Sequence, residues 1–265
     1  MQKTAIDSIS AYHESGNVPV TDLLARPIER IRLQHRAEKY RTREDRGGIA
    51  YIQRSIKEGA VVFDIGAHKA GYLYFFLEQL QNNGAIHAFE PQPVLYQYLQ
   101  KLKRLFSWNN VKIEAAAVSD HSGTALLSIP YNNGRASSPC ATIIESRMDL
   151  QIQSRVEVNT ISLDEYCDQH HTYPDFLKVD VEGNELSVFK GAANMLFHHK
   201  PKILFECEAR FVGEARVQET FSFLQQLGYT GYYIMGNDVN HIQEFHIDSH
   251  QRPGSAIYCN NFIFE

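Results

Sequence analysis

Cysteine is scarce in this 265-residue chain, and Cys140, Cys167, Cys207 and Cys259 lie far apart with no C-x-x-C pair among them. That spacing argues against a disulfide framework and suggests four reduced, mostly buried thiols in a cytoplasmic protein. Long apolar runs are lacking too. None approaches the ~20 residues that a membrane-spanning helix needs, and no signal-peptide pattern opens the chain, so a soluble, intracellular protein is expected. Excess positive charge is also missing: the net charge is -5 with a pI near 6.2, which argues against a general nucleic-acid binder. Neither phosphate-binding glycine pattern is complete. In "VVFDIGAHKAGY" (61–72) the spacing of Gly66 and Gly71 fits a P-loop, but Tyr72-Leu73 stands where Lys and Ser/Thr are required. The dinucleotide pattern G-x-G-x-x-G fails because His68 holds the position of its second glycine. There is no internal repeat and no low-complexity tract.

A chain of this length forms one large domain, or one domain with an extension, and buries roughly 70–75% of its unfolded surface. The division expected here is an N-terminal helical extension over 1–48 and a main domain over 49–265, with a variable insertion at 121–160. Residues 1–25 are polar and weakly patterned. From Arg26 to Arg46 eight Lys/Arg face four Asp/Glu in a stretch of helical composition. A solvated amphipathic helix is expected there in preference to an anion-binding patch. Ile49, Ile52 and Ile56 then lead to Glu58-Gly59, a helix end.

Beyond this point strand and helix alternate. "AVVFDIG" reads as a buried parallel strand, "GYLYFFLEQL" as a helix pressed on a sheet, and "AIHAFEP" as a second strand stopped by Pro91. Val94, Leu95, Tyr98, Leu99, Leu102, Leu105 and Phe106 repeat at helical spacing, and "VKIEAAAVS" reads as a third strand. "GTALLSI" and "VEVNTISL" look like strands flanking a long polar loop, the kind usually functional or mobile. "DFLKVDVEG" is a strand followed by a helix marked by Leu186, Phe189, Ala193, Leu196 and Phe197. "KILFECE" is another, followed by a helix closed by Gly228. "YTGYYIM" and "AIYCNNFIFE" read as a terminal antiparallel pair. The pattern predicts an α/β fold: a Rossmann-like, doubly wound sheet of seven strands, mostly parallel, with an antiparallel last strand.

In such a sheet, ligands bind beyond the carboxyl ends of the strands. Those ends carry Asp64-x-Gly66, Glu90-Pro91, Val118-Ser119-Asp120, Asp180-x-Glu182-Gly183 and Glu206-x-Glu208. One such acid can be a plain helix cap; acids recurring on successive strands point to a ligand. Glu90 lies 24 residues past Gly66, the range at which an acid accepts from ribose hydroxyls. A pyrophosphate suits acids on all sides poorly. A nucleoside carrying a cation suits them well, and S-adenosylmethionine is such a molecule.

The segments "VVFDIGAHKAGY", "AIHAFEPQP", "AAAVSDHSGTA", "VNTISLDEY", "LKVDVEGNELSVFKGA" and "KPKILFECE" together resemble the FkbM-type methyltransferases over roughly residues 45–264. "KVDVEGNE" with Gly191 downstream is the most specific element. The resemblance implies a class I S-adenosylmethionine-dependent methyltransferase acting on hydroxyl oxygens of glycans or natural products. By resemblance, Asp64, Gly66, Ala67 and His68 form the first cofactor loop, and Glu90, followed by Pro91, takes the ribose. Ala117 and Val118 frame the adenine, and Asp180 sits near the methyl and the amino-acid tail. The family more often has Asn where His68 stands and a turn one residue shorter. Ser137-Ser138 resembles a serine pair of its variable loop.

An attacking hydroxyl needs somewhere to send its proton. Glu182 and Glu206 are the first candidates for that base, ahead of Asp180 and His68, each weighed against a capping or strand-end role. The twelve histidines suggest no metal. His170-His171 and His198-His199 are neighbours that do not share a helix face, and no H-x-x-x-H or Cys/His cluster occurs. Trp108 reads as a packing residue. The partner expected is a hydroxylated small molecule or glycan, with no nucleic acid and with self-association open. Two alternatives stay in view: an NAD-dependent oxidoreductase, for which the glycine pattern is wanting, and a non-catalytic nucleoside-binding module.

Overall fold

The computed structural model describes residues 20–132, 135–136, 141–143, 152–252, 254 and 258–265. It opens with helix α1 (Val20–Lys39), a π-helical turn over Tyr40–Glu44, and α2 (Arg46–Ser55). Strand and helix then alternate through β1 (Val61–Ile65), α3 (Leu73–Leu80), β2 (Ala85–Phe89), α4 (Pro93–Phe106) and β3 (Val111–Glu114). Four strands interrupt that rhythm: β4 (Ala116–Val118), β5 (Gly123–Asn132), β6 (Arg135–Ala136) and β7 (Ile152–Ile161). It resumes with α5 (Leu163–His170), β8 (Phe176–Val179), α6 (Glu185–Lys190), α7 (Ala193–His199) and β9 (Lys202–Glu206). After α8 (Ala209–Val212) and α9 (Glu214–Gln226) come β10 (Gly231–Met235), β11 (Asp238–His241), α10 (Ile247–His250) and β12 (Asn261–Phe264).

The main sheet has the order β11-β10-β12-β9-β8-β1-β2-β3. Its centre is parallel: β1 pairs with β2 and β8, β2 with β3, and β8 with β9. Side chains along β1 alternate between two cores, as period-2 geometry requires. Val62 joins Leu33, Ile52, Phe75 and Leu99 under α1–α4, whereas Phe63 and Ile65 join Phe189, Phe205 and Phe221 on the other face. The α/β class and the parallel core match the expectation; the last strand, β12, is antiparallel, set between β9 and β10, and the edge strand β11 is antiparallel as well.

Three expectations are corrected. The sheet has eight strands, because a hairpin through Gly236-Asn237 pairs Met235 with Asp238 and adds β11 at the edge; two-residue turns of this kind match strand twist. "VKIEAAAVS" is two strands, since after Glu114 the chain leaves β2 and Ala116–Val118 pairs with β7 in a second sheet of order β4-β7-β5-β6. The helix expected over 186–197 is two helices broken at Gly191-Ala192, and Phe197 is 57% exposed instead of packed.

The α1 helix is tied to α4 by Asp22 with Arg104 (2.7 Å) and by Glu29 with Lys101 (2.9 Å) and Tyr98 (2.8 Å). Its Leu33 and Ala37 sit in the core. Residue 48, the expected end of the extension, falls in the first turn of α2. Trp108 stacks on Phe106 in the core, as a packing residue should. Cys167, Cys207 and Cys259 are free and buried; Cys140, like the Ser137-Ser138 pair, lies outside the described residues. No helix among the described residues is long and apolar enough to cross a membrane.

Candidate functional site

The carboxyl ends of β1, β2, β8 and β9 open onto one cavity of about 1040 Å³, at the upper end of the range for ligand sites. Its lining brings together Gly66, Ala67 and His68 from the turn after β1, and Glu90 and Pro91 after β2. Ala117 and Val118 of β4, Asp180 and Glu182 after β8, and Glu206 of β9 complete the sequence-predicted set. Asp64 is the exception. It is buried at the end of β1, 1% exposed, and is not in the lining.

The first turn is built around close backbone approaches. Gly66 has φ +87°, and a Cβ there would lie 1.9 Å from the Asp180 carbonyl oxygen, so no other residue fits without moving β8. The amides of Gly66 and Ala67 donate to the Phe89 carbonyl at 3.0 and 3.1 Å. His68 and Ala70 also sit at positive φ, a strained backbone of the kind that clusters at functional sites. Gly71 has a different reason to be glycine: a Cβ would meet the Tyr40 ring at 2.9 Å.

Glu90 is the hinge between the first two strand ends. One carboxylate oxygen accepts from the His68 amide and the other from the Gln92 amide, both at 2.9 Å. Burial pushes its carboxyl up to about 7 against the pull of those two amides. Burial likewise pushes Asp64 up to about 7, with Lys178 opposing and Asp180 and Glu90 adding to it. The imidazole of His68 is driven the other way, down to about 4, chiefly by burial and then by Lys69 and Arg36. It is therefore neutral at pH 7, and its Nε2 has no hydrogen-bond partner among the described residues.

The acidic floor surrounds a buried cation. Lys178 is fully buried in β8, with Nζ 3.8 Å from Asp180, 3.2 Å from the Val179 carbonyl and 4.5 Å from the Tyr72 ring centroid. Tyr72 donates to Asp45 at 2.5 Å, and Asp45 accepts from the Gly48 amide at the start of α2. Glu206 accepts from Asn260 at 2.7 Å. Burial raises its carboxyl well above the usual range; Asp180 and Glu208 reinforce this and Lys178 opposes it. Among the described residues, no group of three or more His, Cys, Asp or Glu side chains is placed to hold a metal.

A family model described as the methyltransferase FkbM domain matches residues 64–230, more than half of the chain. The chain belongs to the FkbM methyltransferase family. The family is one of S-adenosylmethionine-dependent methyltransferases. Among solved structures, the FkbM methyltransferase of Methylobacillus flagellatus is 14% identical with a TM-score of 0.52. The match covers 93% of this chain and 59% of that one, so this chain spans well under two thirds of that protein's length. The likeness shows a shared Rossmann-like fold. The precorrin-6y C5,15-methyltransferase of Geobacter metallireducens is 14% identical (TM-score 0.46, 83% and 86% of the two chains). An O-methyltransferase of Bacillus cereus, in complex with SAH, is 12% identical (TM-score 0.45, 92% and 96%). No curated protein matches the chain by sequence.

Several residues of this FkbM site escape a reading of the sequence. Lys178 stands in an otherwise apolar strand, and a lone lysine in a parallel run is the signal that was there to find. The Asp45–Tyr72 bond joins residues 27 apart in the chain and has no local signature. The wall built by α1 is the largest omission. Arg32, His35, Arg36 and Lys39 line the cavity, where a solvated helix face was expected.

Proposed function

We propose that this FkbM methyltransferase transfers a methyl group to a hydroxyl oxygen of a glycan or natural-product acceptor. The observation that carries the reading is the convergence of Gly66, Glu90, Asp180 and Glu206, from four strand ends, on a cavity with room for two molecules. These residues fit S-adenosylmethionine chemically. Gly66 lets the first turn pack on the Asp180 carbonyl, the His68 Nε2 and Asn261 Oδ1 lack partners among the described residues, and the carboxylates suit a cationic nucleoside. When bound, the cofactor supplies an electrophilic methyl group on a sulfonium.

The chain's own residues do the rest. Glu90 would accept from the ribose hydroxyls, Pro91, Ala117 and Val118 would flank the base, and Asp180 would face the amino end of the tail. Asp64 would act from below by bracing the turn. Ala141, Thr142 and Ile143, the described part of the segment after β6, line the cavity and would contact the acceptor. Most of the rate comes from holding two reactants in line. A hydroxyl is about as weak an acid as water, with a pKa of roughly 15.7, so a positioned proton acceptor helps. Glu182 is the first choice, held at φ +54° on the cavity wall. Glu206, whose carboxyl burial raises, comes next, and His68, lowered to about 4, is a weaker acceptor.

Calorimetry with S-adenosylhomocysteine and NAD, followed by a labelled-methyl screen over hydroxylated sugars, lipids and polyketides, tests this function. S-adenosylhomocysteine binding and transfer to an oxygen are expected, both insensitive to EDTA. Tight NAD binding without S-adenosylhomocysteine binding would overturn the assignment.

A further inference from the structure

We propose that the acceptor is anionic: a hydroxylated molecule that also bears a phosphate or carboxylate, held by the basic face of α1. The inference rests on the methyl-transfer function above and names the class of its second substrate. Arg32, His35, Arg36 and Lys39 follow the i, i+3, i+4, i+7 spacing that places side chains on one helix face, and all four line the cavity. Lys69, from the turn after β1, lines it too, and the Arg36 guanidinium donates to the Lys69 carbonyl. The face cannot roll away. Leu33 and Ala37 are sunk in the core, and the Asp22–Arg104 and Glu29–Lys101 pairs pin the helix to α4.

The charges on this wall are only partly met from within. Arg32 shares Glu29 with Lys101, and Lys39 pairs with Glu44. Arg36 and Lys69, both partly buried, have no carboxylate within ion-pair distance among the described residues. Cations withdrawn from water without a counter-charge are costly, and a charge-assisted pair with an arriving phosphate or carboxylate offsets that cost. Glu90, Asp180, Glu182 and Glu206 line the same cavity from the strand ends. A sulfonium-bearing cofactor is drawn to those acids and repelled by the arginines and lysines, so the basic wall is left to the other reactant. A neutral polyol would gain nothing from it.

The test is titration calorimetry at low and high salt, on protein with and without saturating S-adenosylhomocysteine. The probes are glucose, glucuronate and glucose 6-phosphate. Both anions should bind about tenfold or more tighter than glucose at low salt, and salt should erode the difference. Whichever anion binds tighter tells carboxylate from phosphate. Arg36→Gln should remove the preference and Arg36→Lys should keep most of it. Because Arg36 also touches the first turn, Lys39→Gln is the second variant; it should weaken both anions and leave glucose alone. Equal binding of all three probes would overturn the proposal. So would a loss of S-adenosylhomocysteine affinity in Arg36→Gln and Lys39→Gln that matches the loss of anion affinity, because the wall would then serve the cofactor's own carboxylate. Failure of S-adenosylhomocysteine to bind the wild type would sink the methyl-transfer function instead, with the cofactor-free titrations still deciding for or against the anion.

Discussion

Glu182 and Glu206 lie at the ends of neighbouring strands and line the same cavity, yet their surroundings give them different work. Burial and neighbouring acids raise the Glu206 carboxyl well above its ordinary range, against the pull of Lys178, whereas Glu182 sits in a strained backbone at the cavity wall. Glu182→Gln is therefore expected to lower turnover by roughly 10²–10⁴-fold with S-adenosylhomocysteine affinity preserved; wild-type turnover would move the proton acceptor elsewhere. The raised carboxyls make a second prediction. Glu90 is raised to about 7, so it is neutral at low pH and ionises as the pH climbs through 7; burial raises Glu206 in the same direction. Only the ionised forms attract a sulfonium. The affinity for S-adenosylmethionine relative to S-adenosylhomocysteine should thus increase from pH 6 to 8, with protons released on binding. Calorimetry in buffers of different ionisation enthalpy measures both, and a flat ratio would mean that the acids do not face the sulfonium.

Turns and helix faces, more than single side chains, shape the cavity. The turn after β1 packs its bare Gly66 on the Asp180 carbonyl and its Gly71 on the Tyr40 ring, so one twelve-residue stretch touches β8 and the N-terminal helical segment together. Gly66→Ala combines a side chain at φ +87° with a 1.9 Å overlap. The strained backbone alone costs about 1–3 kcal/mol. Thermal melts should show at least that loss, and S-adenosylhomocysteine binding should fall with it; an unchanged melt and affinity would show that the turn relaxes freely. The composition of α1 was plain in the sequence, but the direction of its basic face was not. Five Lys/Arg among its twenty residues describe a solvated helix and a cavity wall equally well. Leu33, Ala37 and the pairs to α4 choose between them, and those contacts join residues about 70 to 80 positions apart.

At the scale of the whole molecule, the buried acids make stability depend on pH. Asp64, Glu90 and Glu185 are all raised to about 7 by burial. The folded state therefore holds protons that the unfolded state has given up above its ordinary carboxyl range. Stability is greatest where both states are protonated and is lost as pH rises through 7. His68 and His87, lowered to about 4, act in the opposite sense, but only between about 4 and 6.5, where the unfolded imidazoles hold protons and the folded ones do not. Above 6.5 the acids act with little opposition. The melting temperature of the ligand-free protein is expected to fall from pH 6.5 to 8, and added S-adenosylmethionine should restore most at the upper end. A melting temperature that rises over this range would contradict the burial of the three acids.

The sequence by itself determined the class of the fold and which strand ends meet at one cavity. Short, β-branched apolar runs such as "VVFDI", stopped by glycine, read as strands buried on both faces, the helices between them favour parallel pairing, and parallel pairing brings the strand ends to one rim. Asp180 and Glu206 could thus be placed beside Gly66 and Glu90 with no coordinates at all. Tertiary structure decided what stands across from that rim. Whether "VKIEAAAVS" is one strand or two depends on which partner takes its hydrogen bonds. Whether Lys178 is tolerated depends on the acids around it, and whether the basic face of α1 meets bulk water or the cavity depends on how the opposite face docks. Periodicity reports which side of an element is apolar, a local property of the chain. What a polar side faces is set by distant segments, because charge and hydrogen-bond partners act through space and not along the sequence.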